Sequence, residues 1–299
     1  MTADRNILLL GFGEVGQILG ADIIAGKGEL TAYDIRFADP ASPPARAVGD
    51  SPWVKAARSA SDAATDADMI LSAVTAEAAL QAAQSVAPTL RRGATYLDLN
   101  SASPGTKREA ARLIEAAGGR YVEAAVMSPV PPKRLATPIL LGGPHAQTFL
   151  PSGLALGFSG LSVFSEELGK ASAAKMCRSV VVKGMEALLL EALVTARHHG
   201  VEDTVLKSLD DLFPGPDWPQ LAQYMISRSL VHGRRRAEEM REVARTVGEA
   251  GLEPLMSAAA AERQDWAGAL TEMPDGRDLD TVLDALAERI RRAKQEAAQ

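Results

Sequence analysis

Cysteine is almost absent: Cys177 stands alone in 299 residues. One thiol closes no internal disulfide and builds no thiolate metal cluster, which points to a reducing compartment, the cytoplasm. Aromatic residues make up only 4% of the chain, so a core must be packed from Ala, Leu, Val and Ile, and the 53 alanines favour helices. Positive charge is in deficit, 32 Lys and Arg against 38 Asp and Glu, for a net charge of −6. That balance argues against nucleic acid or an anionic membrane as the main partner. No apolar run approaches the roughly 18 residues of a membrane span. The nearest, between residues 180 and 194, is interrupted by Lys183, Glu186 and Glu191. At the start, Asp4 and Arg5 precede only four apolar residues before a glycine, too few for a secretory signal. The four histidines show no metal-ligand spacing with acids or with Cys177, so no metal is expected. What is left is a globular chain, 46% hydrophobic, of one large or two ordinary domains.

Apolar runs and helical periodicity alternate through residues 1–165. Strands are predicted at 7–10, 30–33, 69–74, 94–99, 120–125 and 139–141, and helices at 15–25, 77–87 and 104–117. This alternation implies βαβ units and a mainly parallel sheet. Residues 37–52, with four prolines, read as a loop. Beyond about residue 165 the strand signal stops. Helical patterns are predicted at 170–199, about 219–251, 255–270 and 279–298. The expected architecture is therefore an α/β Rossmann-type NAD(P)-binding domain, residues 1–165, followed by an all-α substrate and dimerisation domain, residues 166–299.

The first strand runs into Gly11-Phe12-Gly13-Glu14-Val15-Gly16 and then into a helix. The first glycine permits a tight turn, the second lets backbone approach a pyrophosphate, and the third allows close helix–strand packing. The helix N-terminus adds N–H donors and a positive dipole end. The competing reading is a glycine turn that holds no ligand. Asp34 closes the second strand, 18 residues past Gly16. A carboxylate there accepts the ribose hydroxyls and repels a 2′-phosphate, favouring NAD over NADP. The alternatives are a solvated strand-end acid and an Arg36 that stacks on adenine or meets a phosphate.

Four segments, in order, carry a resemblance over nearly the whole length to the β-hydroxyacid dehydrogenase and 6-phosphogluconate dehydrogenase superfamily. The first is the loop at 11–16. The second, Asp98-Leu99-Asn100-Ser101-Ala102-Ser103-Pro104, is similar to that family's strand-end Asp-x-Ser-Thr-x-x-Pro element. The third, Tyr121-Val122-Glu123-Ala124-Ala125-Val126-Met127-Ser128-Pro129-Val130, resembles its Asp-Ala-Pro-Val-Ser-Gly-Gly substrate loop. The fourth, Gly169-Lys170-Ala171-Ser172-Ala173-Ala174-Lys175-Met176-Cys177-Arg178-Ser179, resembles its glycine-rich lead into Lys-x-x-Asn-Asn. The segment His232-Gly233-Arg234-Arg235-Arg236-Ala237-Glu238-Glu239-Met240 is similar to a poorly characterised helical domain often joined to such NAD domains.

The resemblance implies Lys175 as the general acid/base. Hydride transfer between an alcohol and a carbonyl needs a proton moved at the oxygen, and a lysine desolvated on an apolar helix suits that task. Ser179 and Lys183 project from the same side of that helix. The bland alternative has the lysines reaching solvent or pairing with acids such as Glu186. Expected cofactor contacts are Gly11, Phe12, Gly13, Val15, Gly16 and Asp34, with Val74, Thr75 and Asn100 following by resemblance. Expected substrate contacts are Ser101, Ser128 and Ser179 beside Lys175. The sequence departs from the family at Pro129-Val130, where the family has Gly-Gly, and at Ser179, where it has asparagine.

The expected activity is NAD(P)-dependent hydride transfer on a small hydroxy or keto compound, NAD preferred. A non-catalytic nicotinamide-binding regulator and an imine or opine reductase on the same scaffold are the rivals. His198 and His199 are read as capping a helix C-terminus, 234–236 as a solvated helix face paired with Glu238, Glu239 and Glu242, and Cys177 as a small core residue. A thirty-residue helix of roughly 45 Å leaves apolar face uncovered in a compact domain, so a homodimer through the helical half is expected.

Overall fold

The computed structural model describes residues 6–24, 29–270 and 278–297. Asp4, Arg5 and the ends of two predicted helices, Ala25 and Ala298, lie outside them. The chain divides into two compact units, Met1–Met176 and Cys177–Gln299.

The first unit is built on eight strands: β1 (Ile7–Leu10), β2 (Leu30–Tyr33), β3 (Val54–Ala56), β4 (Met69–Ser72), β5 (Thr95–Asp98), β6 (Arg120–Val126), β7 (Ile139–Gly142) and β8 (Leu161–Ser165). They form one sheet in the order β3-β2-β1-β4-β5-β6-β7-β8. All neighbours are parallel except β6 and β7. The helices between them are α1 (Glu14–Ile24), α2 (Pro43–Gly49), α3 (Ala60–Ala64), α4 (Ala79–Val86), α5 (Pro104–Ala116) and α6 (Ala146–Ala155). Side chains alternate across a strand, and here both faces are buried. Leu9, Leu71, Leu97 and Val122 fill one core layer, and Leu8, Leu10, Ile70, Tyr96 and Tyr121 the other. The doubly wound Rossmann sheet is thus present. Strand order reverses at β1 and β4, which opens a crevice at their carboxyl ends, where such sheets hold ligands.

The predicted loop at 37–52 is not one. A 3-10 turn, Ile35–Ala38, is capped by Asp34, and helix α2 follows. Pro43 and Pro44 sit in its first turn, where a missing N–H costs nothing, and Ser42 caps it by accepting the Ala45 N–H at 3.2 Å. Prolines that look like breakers start the helix instead. Strands β3 and β8 and helices α3 and α6 also lie where no element was predicted.

Helix α7 (Lys170–His199) begins in the first unit, and the division falls within it. The second unit holds its remainder with α8 (Glu202–Leu212), α9 (Trp218–Glu249), α10 (Leu255–Ala269) and α11 (Leu279–Ala297). Leu190, Leu193, Trp218, Ile226, Leu283 and Leu286 make its core. Helices α9 and α10 meet main chain to main chain at Gly233 and Gly268. A Cβ on either would run into the other's main chain.

Two readings of this half need correction. Arg236 does not belong to a solvated face: it is 6% exposed and ion-paired with buried Glu186 of α7, while Arg235 makes the expected i,i+4 pair with Glu239. Cys177 is exposed rather than in the core. Lys183 pairs with an acid, as the alternative reading of the lysines has it, in this case Glu239 at 2.6 Å. Arg197, His198 and His199 occupy the last turn of α7, where cations favour the dipole. No helix among the described residues is long and apolar enough to cross a membrane.

Candidate active site

The loop after β1 has the geometry its glycines require. Gly11 adopts φ +89°, and a Cβ there would strike the Ala73 carbonyl. At Gly16 a Cβ would strike the Gly11 carbonyl, so the helix start could not seat this close to the strand. Nothing lies within 4 Å of the Cβ position at Gly13. That open cradle at the head of α1 fits a pyrophosphate received by main-chain N–H groups. Phe12 turns inward: its ring is buried between Phe37 and Trp53, and its carbonyl accepts the Gln17 side-chain amide at 2.8 Å. Val15 is half-buried on the first turn of α1.

Asp34 is half-buried and already engaged by main chain. Its Oδ2 accepts the Phe12 N–H at 2.8 Å and its Oδ1 accepts the Arg36 N–H at 2.9 Å. The carboxylate therefore ties the end of β2 to the glycine loop. Each oxygen keeps a further lone pair for a ribose hydroxyl.

Asn100 closes the next gap in the sheet's carboxyl edge. Its Oδ1 accepts the Val74 N–H at 2.7 Å, and its Nδ2 donates to Ser72 Oγ at 2.9 Å. The Asn100 N–H donates in turn to Asp98 Oδ1 at 2.9 Å. Thr75 is exposed beside it. One residue on, Ser101 Oγ accepts a 2.5 Å hydrogen bond from Lys175 Nζ, and both residues are half-buried. The sheet edge and the first turns of α7 thus meet at a hydroxyl and an amine. Ser128, just past β6, has a buried hydroxyl with no hydrogen-bond partner among the described residues. Ser179, also buried, belongs to the second unit.

The structure adds four buried polar residues that motif reading passed over. Asp98, 1% exposed, pairs with Lys107 at 2.8 Å and accepts the Tyr121 hydroxyl at 2.6 Å. Lys107 also donates to the Asp98 carbonyl at 2.9 Å. Burial, and then the neighbouring Asp98 charge, hold the Tyr121 phenol well above its ordinary pKa. Glu123 is fully buried and accepts the Gly169 and Ser172 N–H groups at 2.7 and 2.6 Å. For the two acids the signal was in the sequence: Asp98 ends the buried strand Thr95–Asp98, and Glu123 stands within the largely apolar Arg120–Val126.

A Rossmann sheet of this order, with a glycine loop on its switch point and an amine over its carboxyl edge, defines a nicotinamide-dinucleotide-binding class. The match is to the NAD binding domain of 6-phosphogluconate dehydrogenase over residues 6–149, and to a domain of unknown function (DUF1932) over residues 196–267. A conserved hypothetical protein of Sinorhizobium meliloti 1021 is 38% identical, with 96% of this chain and 97% of that one covered and a TM-score of 0.72. The conserved protein MTH1747, of unknown function and described as structurally similar to 3-hydroxyacid dehydrogenases, is 31% identical over 88% of this chain and 96% of its own, TM-score 0.65. The chain belongs to this 6-phosphogluconate dehydrogenase-like family. The fold is shared, at 20% identity, with the 3-hydroxyisobutyrate dehydrogenase of Mycobacterium tuberculosis in its structure with L-serine, covering 96% of this chain and 99% of that one, TM-score 0.69. It is shared also with an imine reductase of Myxococcus stipitatus in complex with NADP+, 17% identical over 94% and 99% of the two chains, TM-score 0.53.

Proposed function

We propose that this protein is an NAD(P)-dependent oxidoreductase that interconverts a small hydroxy compound and its keto form, with Lys175 as general acid/base. The observation that carries the reading is the 2.5 Å hydrogen bond from Lys175 to Ser101 at the carboxyl edge of the sheet that bears the glycine loop. The nicotinamide, when bound, accepts or supplies hydride at the substrate carbon. The chain's own residues handle binding and the proton. Main-chain N–H groups of Gly13, Val15 and Gly16 receive the pyrophosphate at a turn whose shape Gly11 and Phe12 hold through their bonds to Tyr33 and Asp34, Asp34 receives the ribose, and Val74, Thr75 and Asn100 follow towards the ring. Lys175, as an ammonium, donates to Ser101 Oγ and leaves the serine proton free to reach the substrate oxygen. In oxidation the same path runs outward, from alcohol through serine to neutral lysine. Ser128 brings an unpaired hydroxyl to the substrate.

The carboxylate of Asp34 favours NAD over NADP, and the fold's relatives supply the precedents for hydroxyacid and imine chemistry. A single, exposed cysteine suits a reducing, cytoplasmic setting. The test is a panel of hydroxy and keto compounds, with and without carboxylates, followed by nicotinamide absorbance with each cofactor. Turnover that Lys175→Ala reduces roughly 100-fold supports the assignment. Reduction that depends on an added amine moves the substrate to a C=N bond. Cofactor binding with no turnover of any compound makes the protein a regulator.

A further inference from the structure

We propose that Glu123, with Asp98 beside it, is a positioning residue that sets the distance between Lys175 and Ser101. The inference rests on the reading of Lys175 as the proton-transfer group. Asp98 and Glu123 are register partners on the adjacent parallel strands β5 and β6, so their side chains leave the sheet on the same face. Both are essentially without solvent contact, 1% and 0% exposed. A buried carboxylate costs several kcal/mol unless its oxygens are met. What meets them differs in each case.

Asp98 is met by a cation, a phenol and one main-chain amide. That amide belongs to Asn100, the residue before Ser101. Asp98 therefore holds the turn that presents the serine. Glu123 is met by two main-chain amides, Gly169 and Ser172, and no lysine, arginine or histidine among the described residues forms an ion pair with it. These amides lie at the start of α7, where orphan N–H groups and the positive dipole end favour an anion. Ser172 is less than one turn before Lys175, roughly 4.5 Å of rise. Glu123 therefore holds the turn that presents the lysine.

Two further details fit a site built for this carboxylate. Gly142, opposite Glu123 in the β6–β7 ladder, leaves room that a side chain would take, since a Cβ there would sit 2.5 Å from Glu123 Oε2. Gly169 takes φ +95°, turning its N–H into the strand. The strand pair thus reaches both halves of the Lys175–Ser101 contact through main chain only, and its carboxylates touch neither substrate nor cofactor.

Glu123→Gln tests this. The amide oxygen replaces one acceptor, while the amide NH2 faces the second N–H of α7 and cannot accept it. The expected result is a kcat lower by roughly 10- to 100-fold, the scale of an ångström's misplacement. KM and the dissociation constant for the dinucleotide should stay within about twofold, because those contacts lie elsewhere. In a Lys175→Ala background the same substitution should leave the residual kcat unchanged, since the group it positions is gone. The amide proton resonances of Gly169 and Ser172 should move upfield as the charged acceptor is lost. Should Glu123→Gln fail to fold, Gly142→Ala crowds the carboxylate from outside and should give the same pattern. Equal fractional losses with and without Lys175 would overturn the positioning role alone. Full kcat in Lys175→Ala would overturn the catalytic reading, and this proposal with it.

Discussion

Replacing Lys107 by methionine isolates the worth of the buried ion pair in the sheet. Methionine keeps most of the unbranched stem and removes the charge. Lys107 and Asp98 are each 1% exposed, 2.8 Å apart, and Lys107 also donates to the Asp98 carbonyl at 2.9 Å. Removing one partner of a buried pair typically costs about 3–5 kcal/mol, because the other charge stays behind in low dielectric. Here Asp98 keeps the Tyr121 hydroxyl and the Asn100 amide, so the low end, about 3 kcal/mol, is expected. At 1.4 kcal/mol for each factor of ten, that is roughly a 150-fold increase in opening of β5 and β6. Hydrogen exchange of peptides covering 95–98 and 120–126, followed by mass spectrometry on the whole chain, reads this opening locally and needs no two-state assumption. The double variant Lys107→Met/Asp98→Asn should recover more than half of the loss, since it leaves no lone buried charge. Protection in Lys107→Met within a factor of about five of the parent, or a double variant no better than the single one, would refute the reasoning.

Asp34→Ala should weaken NAD binding and narrow its preference over NADP, measured by calorimetry with both. Tighter NADP binding by the parent, unchanged in the variant, would pass the choice to Arg36. His232 is pushed down to about 4 by burial first and then by Arg228, Arg235 and Arg236, with Glu239 opposing. The unfolded chain takes up this proton near the ordinary 6.5, so stability should fall as pH drops from about 6.5 towards 4. His232→Gln should remove that part of the fall in urea midpoints, and parallel curves for the two proteins would count against it. We expect a homodimer formed through the helical half. Light scattering that finds a fully active monomer at assay concentration refutes this.

Much of the architecture was legible because its signals are local and repeat. Strands Ile7–Leu10 and Leu30–Tyr33 and the helix Lys170–His199 lie where apolar runs and periodicity put them. The misses follow physical lines as well. Pro43 and Pro44 stand in a stretch that reads as a loop, yet proline is at home in a first helical turn when a serine caps it. Strands Val54–Ala56 and Leu161–Ser165 are short and half-exposed, with too little apolar contrast to stand out. At the site, the glycine loop, Asp34 and the Lys175 helix were visible as motifs. The partners of Glu123 and Asp98 were not, because a buried acid declares them only after the chain has brought Gly169 and Lys107 to it. Arg236 failed similarly: charge spacing along α9 offered it neighbours on its own helix, while its partner, Glu186, came from another.

The meeting of Gly233 and Gly268 has a consequence for how this protein can vary. In most core contacts a larger side chain on one element is offset by a smaller one across from it. Here each missing Cβ faces main chain, so nothing on the opposite helix can be trimmed. Gln264, whose carbonyl also blocks Gly233, reaches Glu186 with its side-chain amide at 3.4 Å. A change at either glycine would pry the helices apart and loosen the partners of a buried charge at once. In a set of homologous sequences the two positions should therefore stay glycine together, and in a library of variants they should be among the least forgiving sites outside the nucleotide loop.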